Sequence, residues 1–282
     1  MARPDVSRLT HLPRVQLYDF WLDQYEVSNK RFKEFVDGGG YQKRDYWREP
    51  FIRDARKVAW DEAIKVFRDS TARPGPSTWE LGNYPKGKDD YPVNGVSWYE
   101  AAAYAEFAGK KLPTVYHWSY AAGIWAGSHM VPLSNIEGRS EGPLPVGERP
   151  AMSPVGAYDM AGNVKEWCWN ESRGAKRYLL GGAWNEPSYM FMNPDAQPWD
   201  RSPTYGFRCA SAVATSSPSQ RRCSRWSLRR SSSPSRRRRC SATTPGPAIC
   251  ASSRTSCAPP PSMREAGGSA RRSSWGARPL PI

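Results

Sequence analysis

The sequence predicts an α+β fold with little regular secondary structure and long loops. Three observations lead to this prediction: helical patterns are few, strand patterns are short, and Gly-, Pro- and aromatic-rich stretches separate them. Residues 71–90 and 128–153 are the clearest such stretches. Because long loops are uncommon in compact domains unless they are functional, we expect part of this surface to bind a ligand.

The first half of the chain begins with a strand over residues 15–27, where apolar and polar residues alternate. Ser28 is placed to cap the helix that follows, and Gly38–Gly40 should end it. A short strand is expected at Val58–Trp60, and Asp61 begins the next helical pattern.

Two capped helices and two strands are expected further along. Ser97 and Glu100 have the spacing of a capping box and open an Ala-rich helix that ends at Gly109. Thr114 caps another helix, which ends at Gly123. The two strand patterns cover Tyr178–Trp184 and Tyr205–Ala210.

The charge distribution divides the chain at residue 212. Residues 213–282 contain 14 Arg, no Lys, no Tyr, no Phe and a single acid, whereas residues 1–212 contain 27 basic and 26 acidic residues. We therefore expect a polar lead-in at 1–14, a globular domain at 15–212 and a disordered Arg/Ser/Pro-rich tail at 213–282. The tail is either a basic arm for RNA or a membrane surface, or the product of a frameshift.

The cysteine content and the hydropathy of the sequence indicate where in the cell the protein is located. The globular part contains only Cys168 and Cys209, which can form at most one bridge, so the sequence is not a disulfide scaffold. The N-terminus lacks the apolar run of a signal peptide, and no stretch approaches the ~20 apolar residues of a spanning helix. We expect a cytoplasmic protein without membrane contact, whose residues 1–212 do not bind nucleic acid.

The stretch YDMAGNVKEWCW, Tyr158–Trp169, contains the most distinctive arrangement of acids. Asp159 and Glu166 flank a Gly162-Asn163 turn and can direct their oxygens toward one centre. Such oxygens, with backbone carbonyls, are the ligands that calcium prefers. The alternative is a plain Gly-Asn turn between aromatic strands, with both acids in water.

Six ordered motifs give this stretch a context. They are YEVSN, PVNGVSWYEAAAYAEFAGKKLPT, SNIEG, GAYDMAGNVKEW, RYLLGGAW and YGFRC. Over residues 15–212 the chain resembles the formylglycine-generating enzyme, or sulfatase-modifying factor, family. The resemblance implies a variant of the C-type lectin-like fold in which bound calcium and aromatic packing hold long loops.

The resemblance also implies the metal ligands. One calcium site of the family corresponds to the side chains of Asp159 and Glu166 and the carbonyls of Gly162 and Val164, all of which are present. Another site of the family begins at an Asn-Ile pair, matched here by Asn135 and Ile136. Its remaining ligands come from an acidic segment that this chain has shortened to RSEGPLP.

The catalytic positions of the family are changed. Active members hold copper with two cysteines, which fall here on Glu186 and Phe191. A serine of the family is Ala183, and a tryptophan is Lys165. Since soft Cu(I) prefers thiolates, copper is not expected as a cofactor.

The segment Asn185–Ser202 stands in place of the family's chemistry and combines polar groups with aromatic residues. It is either a binding pocket or a proline-rich surface loop. Residues that could carry out metal-assisted chemistry are Glu186, Asp195 and Asp200. Pocket candidates are Trp184, Asn185, Glu186, Tyr189, Asn193, Arg201 and Arg208, the last also a potential partner for one of these acids.

Related enzymes of this fold hold iron with three histidines, but His11, His117 and His129 are predicted to be ordinary polar or half-buried residues. Two functions follow from the resemblance. The first is a non-catalytic, calcium-stabilised module of a larger bacterial, kinase-linked protein that binds a small molecule or a protein. The second is a metal-dependent oxidase with non-cysteine ligands. A nucleic-acid binder acting through the tail is the third class considered.

Overall fold

The structure, a computed structural model, describes residues 12–13, 15–123, 127–188, 195–212 and 248–251. Its α-helices are α1 (Asn29–Asp37), α2 (Trp60–Ala63), α3 (Trp98–Phe107), α4 (Val115–Ala122) and α5 (Gly127–Met130). Its strands are β1 (Phe20–Asp23), β2 (Phe51–Arg53), β3 (Arg56–Val58), β4 (Lys165–Glu171), β5 (Arg177–Leu180), β6 (Asp195–Ala196), β7 (Tyr205–Gly206), β8 (Ala210–Ala212) and β9 (Ala248–Ala251). The expected mixture of short helices, short strands and long loops is confirmed.

The strands form three small sheets with the orders β8-β1-β9, β2-β3 and β6-β5-β4-β7. In the four-stranded sheet, β4 pairs antiparallel with β5 and parallel with β7. The parallel pairing places Glu166 beside Gly206. It thereby brings the acidic stretch near the last strands of the globular part.

The predicted helix caps have mixed outcomes. Ser97 and Glu100 form the expected capping box, and Thr114 caps α4 with His117 as its partner. Ser28 occupies the N-cap position of α1, but its side chain makes no capping hydrogen bond. The role predicted for Ser28 is therefore wrong, although the helix itself forms.

Several elements are shorter than the sequence patterns. The strand predicted over 15–27 is regular only at Phe20–Asp23, and the one predicted over 178–184 ends at Leu180. The final strand is divided into β7 and β8. Gly181 and Gly182 both adopt positive φ, which explains why β5 stops before them.

Two apolar clusters form the core. One contains α1 and α3 with a network of contacting aromatic rings, and the other contains β1 and α4. Trp98, Trp118 and Trp167 are at most 1% exposed, and each removes roughly 150–250 Å² from water. Burial of these rigid side chains explains how so little regular structure supports a packed domain.

Four residues of the 213–282 tail are described by the structure. Ala248–Ala251 form β9, which pairs antiparallel with β1 through Trp21 and Cys250. The remaining residues of 213–282 lie outside the described residues. Within the described part of the chain, no helix combines the length and apolar character needed to cross a membrane.

Candidate functional site

The 159–166 loop is a tight turn that leads into β4. Asp159, Gly162 and Asn163 have φ values of 58°, 150° and 64°. A Cβ atom at Gly162 would lie 2.5 Å from the carbonyl oxygen of Asn135, so glycine alone permits this close approach. The loop is therefore a turn that requires positive φ angles and a glycine at position 162, and it differs from a simple hairpin between two strands.

Glu166, the second acid of the loop, is fully buried and paired with Arg208. Its Oε1 lies 2.5 Å from Nη2 of Arg208, and its Oε2 lies 2.7 Å from Nε. The indole of Trp118 also donates to Oε2 at 2.8 Å. Because an ionised carboxylate offers about four lone-pair sites, these three bonds leave capacity for a cation.

Arg208 lies in the core, whereas the sequence reasoning placed it in a binding pocket. It is 0% exposed, and its partner is Glu166 rather than an acid of the 185–202 segment. It also donates to the carbonyls of Asp23, Gln24 and Tyr158. The guanidinium thus joins β4 to the chain after β1 and to the start of the loop.

Glu26 is a third buried acid of this region, which the sequence reasoning did not identify. Its Oε2 accepts from Nδ2 of Asn163 at 2.7 Å, and its Oε1 accepts from the backbone N–H of Val164 at 3.1 Å. Burial raises its pKa well above the usual range, and the nearby Asp159 and Glu166 raise it further.

Asp159 is 4% exposed and accepts a hydrogen bond from the N–H of Gly147 at 2.6 Å. Burial raises its pKa to about 6, against the opposing effects of the Gly147 amide and Arg208. The sequence alternative with both acids in water is wrong, since Asp159 and Glu166 are both buried.

The donor chemistry of the loop fits a hard cation. Three buried carboxylates, Glu26, Asp159 and Glu166, interact electrostatically with a single guanidinium, Arg208. Ionisation of all three would leave excess negative charge in the interior, which a bound divalent cation would offset. Among the described residues, no three His, Cys, Asp or Glu side chains converge as metal ligands. A site made of two side chains and two carbonyls contains fewer such side chains and is compatible with that finding.

At the other predicted calcium position, Asn135 and Ile136, the Asn135 side chain makes hydrogen bonds within the protein. Asn135 accepts from the hydroxyl of Ser140 and donates to Asn163 and to the carbonyl of Gly142. Ile136 is 0% exposed. The hydrogen bonds that the described residues make to the Asn135 side chain involve no carboxylate, and a calcium site here stays a prediction.

An ion pair occupies the first of the two positions where the family implies a copper-binding cysteine. Nζ of Lys165 lies 2.9 Å from Oε2 of Glu186, and the Lys165 side chain is only 4% exposed. Ala183, at the position of the family's serine, is fully buried. Phe191, at the second cysteine position, lies outside the described residues.

The two cysteines of the globular part supply no alternative thiolate pair. Cys168 and Cys209 are both free and 0% exposed. Burial raises the pKa of both thiols well above the usual range, which disfavours the thiolates that bind copper. The described residues therefore do not fit the copper of the active family members.

The three acids proposed as catalytic candidates have separate partners. Glu186 pairs with Lys165, Asp195 with Lys176 and Ser172, and Asp200 accepts from the N–H of Gln197. No described contact joins these acids to one another.

The pocket candidates are also dispersed. Arg201 pairs with the buried Glu100, while Trp184 and Asn185 lie beside Glu186 in the loop after β5. The Trp184 indole nitrogen is buried without a hydrogen-bond partner among the described residues. Tyr189 and Asn193 lie outside the described residues.

Two of the three histidines lie within the described residues, on different helices. His117 lies on α4 with its ring 4.4 Å from that of Phe20, and His129 lies on α5 and is exposed. Burial lowers the pKa of His117, which is consistent with the half-buried residue predicted from the sequence. His11 lies outside the described residues.

Comparisons with known proteins agree with the motifs. The model of the sulfatase-modifying factor enzyme 1-like domain matches residues 10–213. A serine/threonine-protein kinase pkn1 of Chlamydia caviae is 31% identical over 230 residues, which are 70% of this chain and 34% of the kinase.

Two further relatives bear different names. A hercynine oxygenase of Mycolicibacterium smegmatis is 31% identical over 176 residues, 58% of this chain and 39% of that protein. An inactive C-alpha-formylglycine-generating enzyme 2 of Bos taurus is 28% identical over 245 residues, 71% of this chain and 79% of that protein. The chain spans about one third of the length of the kinases it matches. Since the family model covers most of the chain, the protein belongs to the family of sulfatase-modifying factor enzyme 1-like domains.

Proposed function

We propose that this chain is a non-catalytic, calcium-stabilised module that binds a small molecule or a protein, with the C-type lectin-like core that its family implies. The Lys165–Glu186 ion pair carries the proposal. It places a carboxylate and an ammonium at positions where active members use a copper-binding thiolate and a tryptophan. Neither group binds Cu(I) as a thiolate does.

Calcium in this proposal has a structural role. Asp159 and Glu166 would hold it through their side chains, and Gly162 and Val164 through their carbonyls. The bound ion supplies positive charge to an interior in which three carboxylates share one guanidinium. Glu26 stabilises the turn through Asn163 and the Val164 N–H.

The names of the relatives suggest the setting. One matching relative is called an inactive formylglycine-generating enzyme, and others are kinases of which this chain spans only about a third. We place the module in a larger, kinase-linked protein of the bacterial cytoplasm.

Metal analysis of the purified full chain tests this proposal, with calcium, copper and iron quantified together. We expect calcium near one equivalent, no stoichiometric copper or iron, and no conversion of a cysteine-containing sulfatase peptide to formylglycine. Stoichiometric copper or iron that is lost in Glu186→Ala, with turnover of the peptide, would show that the chain is an oxidase instead.

A further inference from the structure

A cleft of about 490 Å³ is lined by no residue of the Lys165–Glu186 pair or of the 159–166 loop, although Asn163 of that loop contacts its wall at Leu144. We call it the Trp79–Leu144 cleft, after residues on two of its walls. Its volume falls within the range of about 300–1,000 Å³ that is usual for small-molecule pockets. The residues that the argument uses are Trp79, Lys88, Tyr91, Asn94, Glu141 and Leu144.

The walls of the cleft combine aromatic and prolyl surfaces. Trp79 is 1% exposed and is fixed because its indole donates to Oδ1 of the lining residue Asn29 at 3.0 Å. Tyr91 is partly exposed, and Pro85, Pro92 and Pro143 also line the space. Such rigid apolar surfaces accept a flat or branched apolar group at little entropic cost.

Two opposite charges lie on the lining. Nζ of Lys88 is 3.6 Å from the centroid of the Tyr91 ring, which holds the ammonium over that face of the cleft. Glu141 is exposed. Within the described part of the chain, neither Lys88 nor Glu141 has an ion-pair partner.

Several polar groups of the lining are already committed to holding its shape. Asn94 donates to the Pro203 carbonyl at 2.7 Å and accepts from the hydroxyl of Thr78 at 2.9 Å. Leu144 is held by Asn163, whose Oδ1 accepts from the Leu144 N–H at 2.8 Å. The cleft is thus preorganised, and its free charges remain available to a ligand.

We infer that the Trp79–Leu144 cleft binds a free amino acid or dipeptide that has an apolar or aromatic side chain. The ligand amine pairs with Glu141, its carboxylate pairs with Lys88, and its side chain packs between the aromatic and prolyl walls. This inference rests on the proposed binding function and names the ligand class of that module.

Binding to the full chain in calcium-containing buffer tests the inference. The probes are the twenty common amino acids, measured singly by calorimetry, and a pool of dipeptides with free termini, analysed by affinity selection and mass spectrometry. We expect binding of members with apolar or aromatic side chains, and loss of binding after N-acetylation or C-amidation. The absence of binding by every probe, or equal binding of the blocked forms, would overturn the inference.

Matched variants locate the site. Lys88→Ala and Glu141→Gln should each weaken binding at least tenfold, whereas Lys86→Ala and Glu62→Gln, which change exposed residues outside the cleft lining, should leave it unchanged. Equal effects of the cleft variants and the control variants would show that the ligand does not bind in this cleft. The melting temperature with and without chelator is measured on the same samples. A calcium effect without amino-acid binding rejects the ligand class and leaves the calcium part of the proposed function intact.

Discussion

Arg208 joins β4 to the end of β1 and to the start of the 159–166 loop. It makes two charged hydrogen bonds to Glu166 and three bonds to carbonyls of Asp23, Gln24 and Tyr158. Replacing it with alanine leaves Glu166 buried without its counter-charge. Breaking a buried pair in this way costs about 3–5 kcal/mol.

We therefore expect Arg208→Ala to lower the free energy of unfolding by about that amount in urea denaturation. Arg173→Ala is the matched control, because Arg173 is exposed, and should change stability by less than about 0.5 kcal/mol. Similar stabilities of the two variants would show that the Glu166–Arg208 pair contributes little to the fold.

His117 gives the stability a pH dependence of known sign. Its Nδ1 lies 3.4 Å from the Thr114 N–H at the start of α4, and burial lowers its pKa below the usual 6.5. The unfolded chain therefore binds a proton more readily than the folded one as the pH falls below about 6.5. As the pH falls from 6.5 to the lower pKa of folded His117, we expect this residue to decrease the free energy of unfolding. The decrease is at most about 1.4 kcal/mol per pH unit.

Urea denaturation at several pH values between 5 and 7 checks this expectation. His117→Asn should show a shallower decline of stability toward low pH than the original chain, while the exposed His129→Asn should keep the original slope. An unchanged slope in His117→Asn would assign the pH dependence to other groups.

At the scale of elements, the 159–166 loop is the one whose stability should depend on a ligand. If calcium is present at ~100 times its dissociation constant, it adds roughly 2.7 kcal/mol to the folded state. For a domain of this size, chelation should then lower the melting temperature by about 5–10 °C in calorimetry. Asp159→Asn should reduce this difference, and Asp61→Asn, a change at an exposed residue of α2, should preserve it. Identical melting temperatures with and without chelator would show that the loop is a turn that binds no calcium.

The elements also show what sequence patterns can reveal. The capping box at Ser97 and the cap at Thr114 were predictable because a cap depends on residues close together in the sequence. The burial of Glu26 was not, since its partners, Asn163 and Val164, are more than 130 positions away. The Lys165–Glu186 pair likewise joins the start of β4 to the loop after β5, which the pairing of these two strands brings together. Family motifs located the loop, but not the excess of buried acids around it.

At the scale of the whole molecule, the sheet containing β1 depends on a distant part of the chain. β1 pairs with β8 on one side and with β9 on the other, and the two partners run parallel to each other. A chain that ends at residue 247 lacks β9 and leaves one edge of β1 without its backbone partners. Exposed edges of this kind promote association between copies.

Two truncations test the importance of β9. A chain ending at Pro247 should melt at a lower temperature and self-associate more in light scattering than a chain ending at Ser252, which retains the strand. Indistinguishable melting and mass for the two chains would show that β9 adds nothing to the stability of the sheet.

The pairing of β1 with β9 also constrains the order of events during biosynthesis. The strand that completes the sheet of β1 follows it by more than 220 residues along the chain. The nascent sheet stays incomplete until β9 has left the ribosome. During that interval the open edge of β1 is available to chaperones or to neighbouring nascent chains.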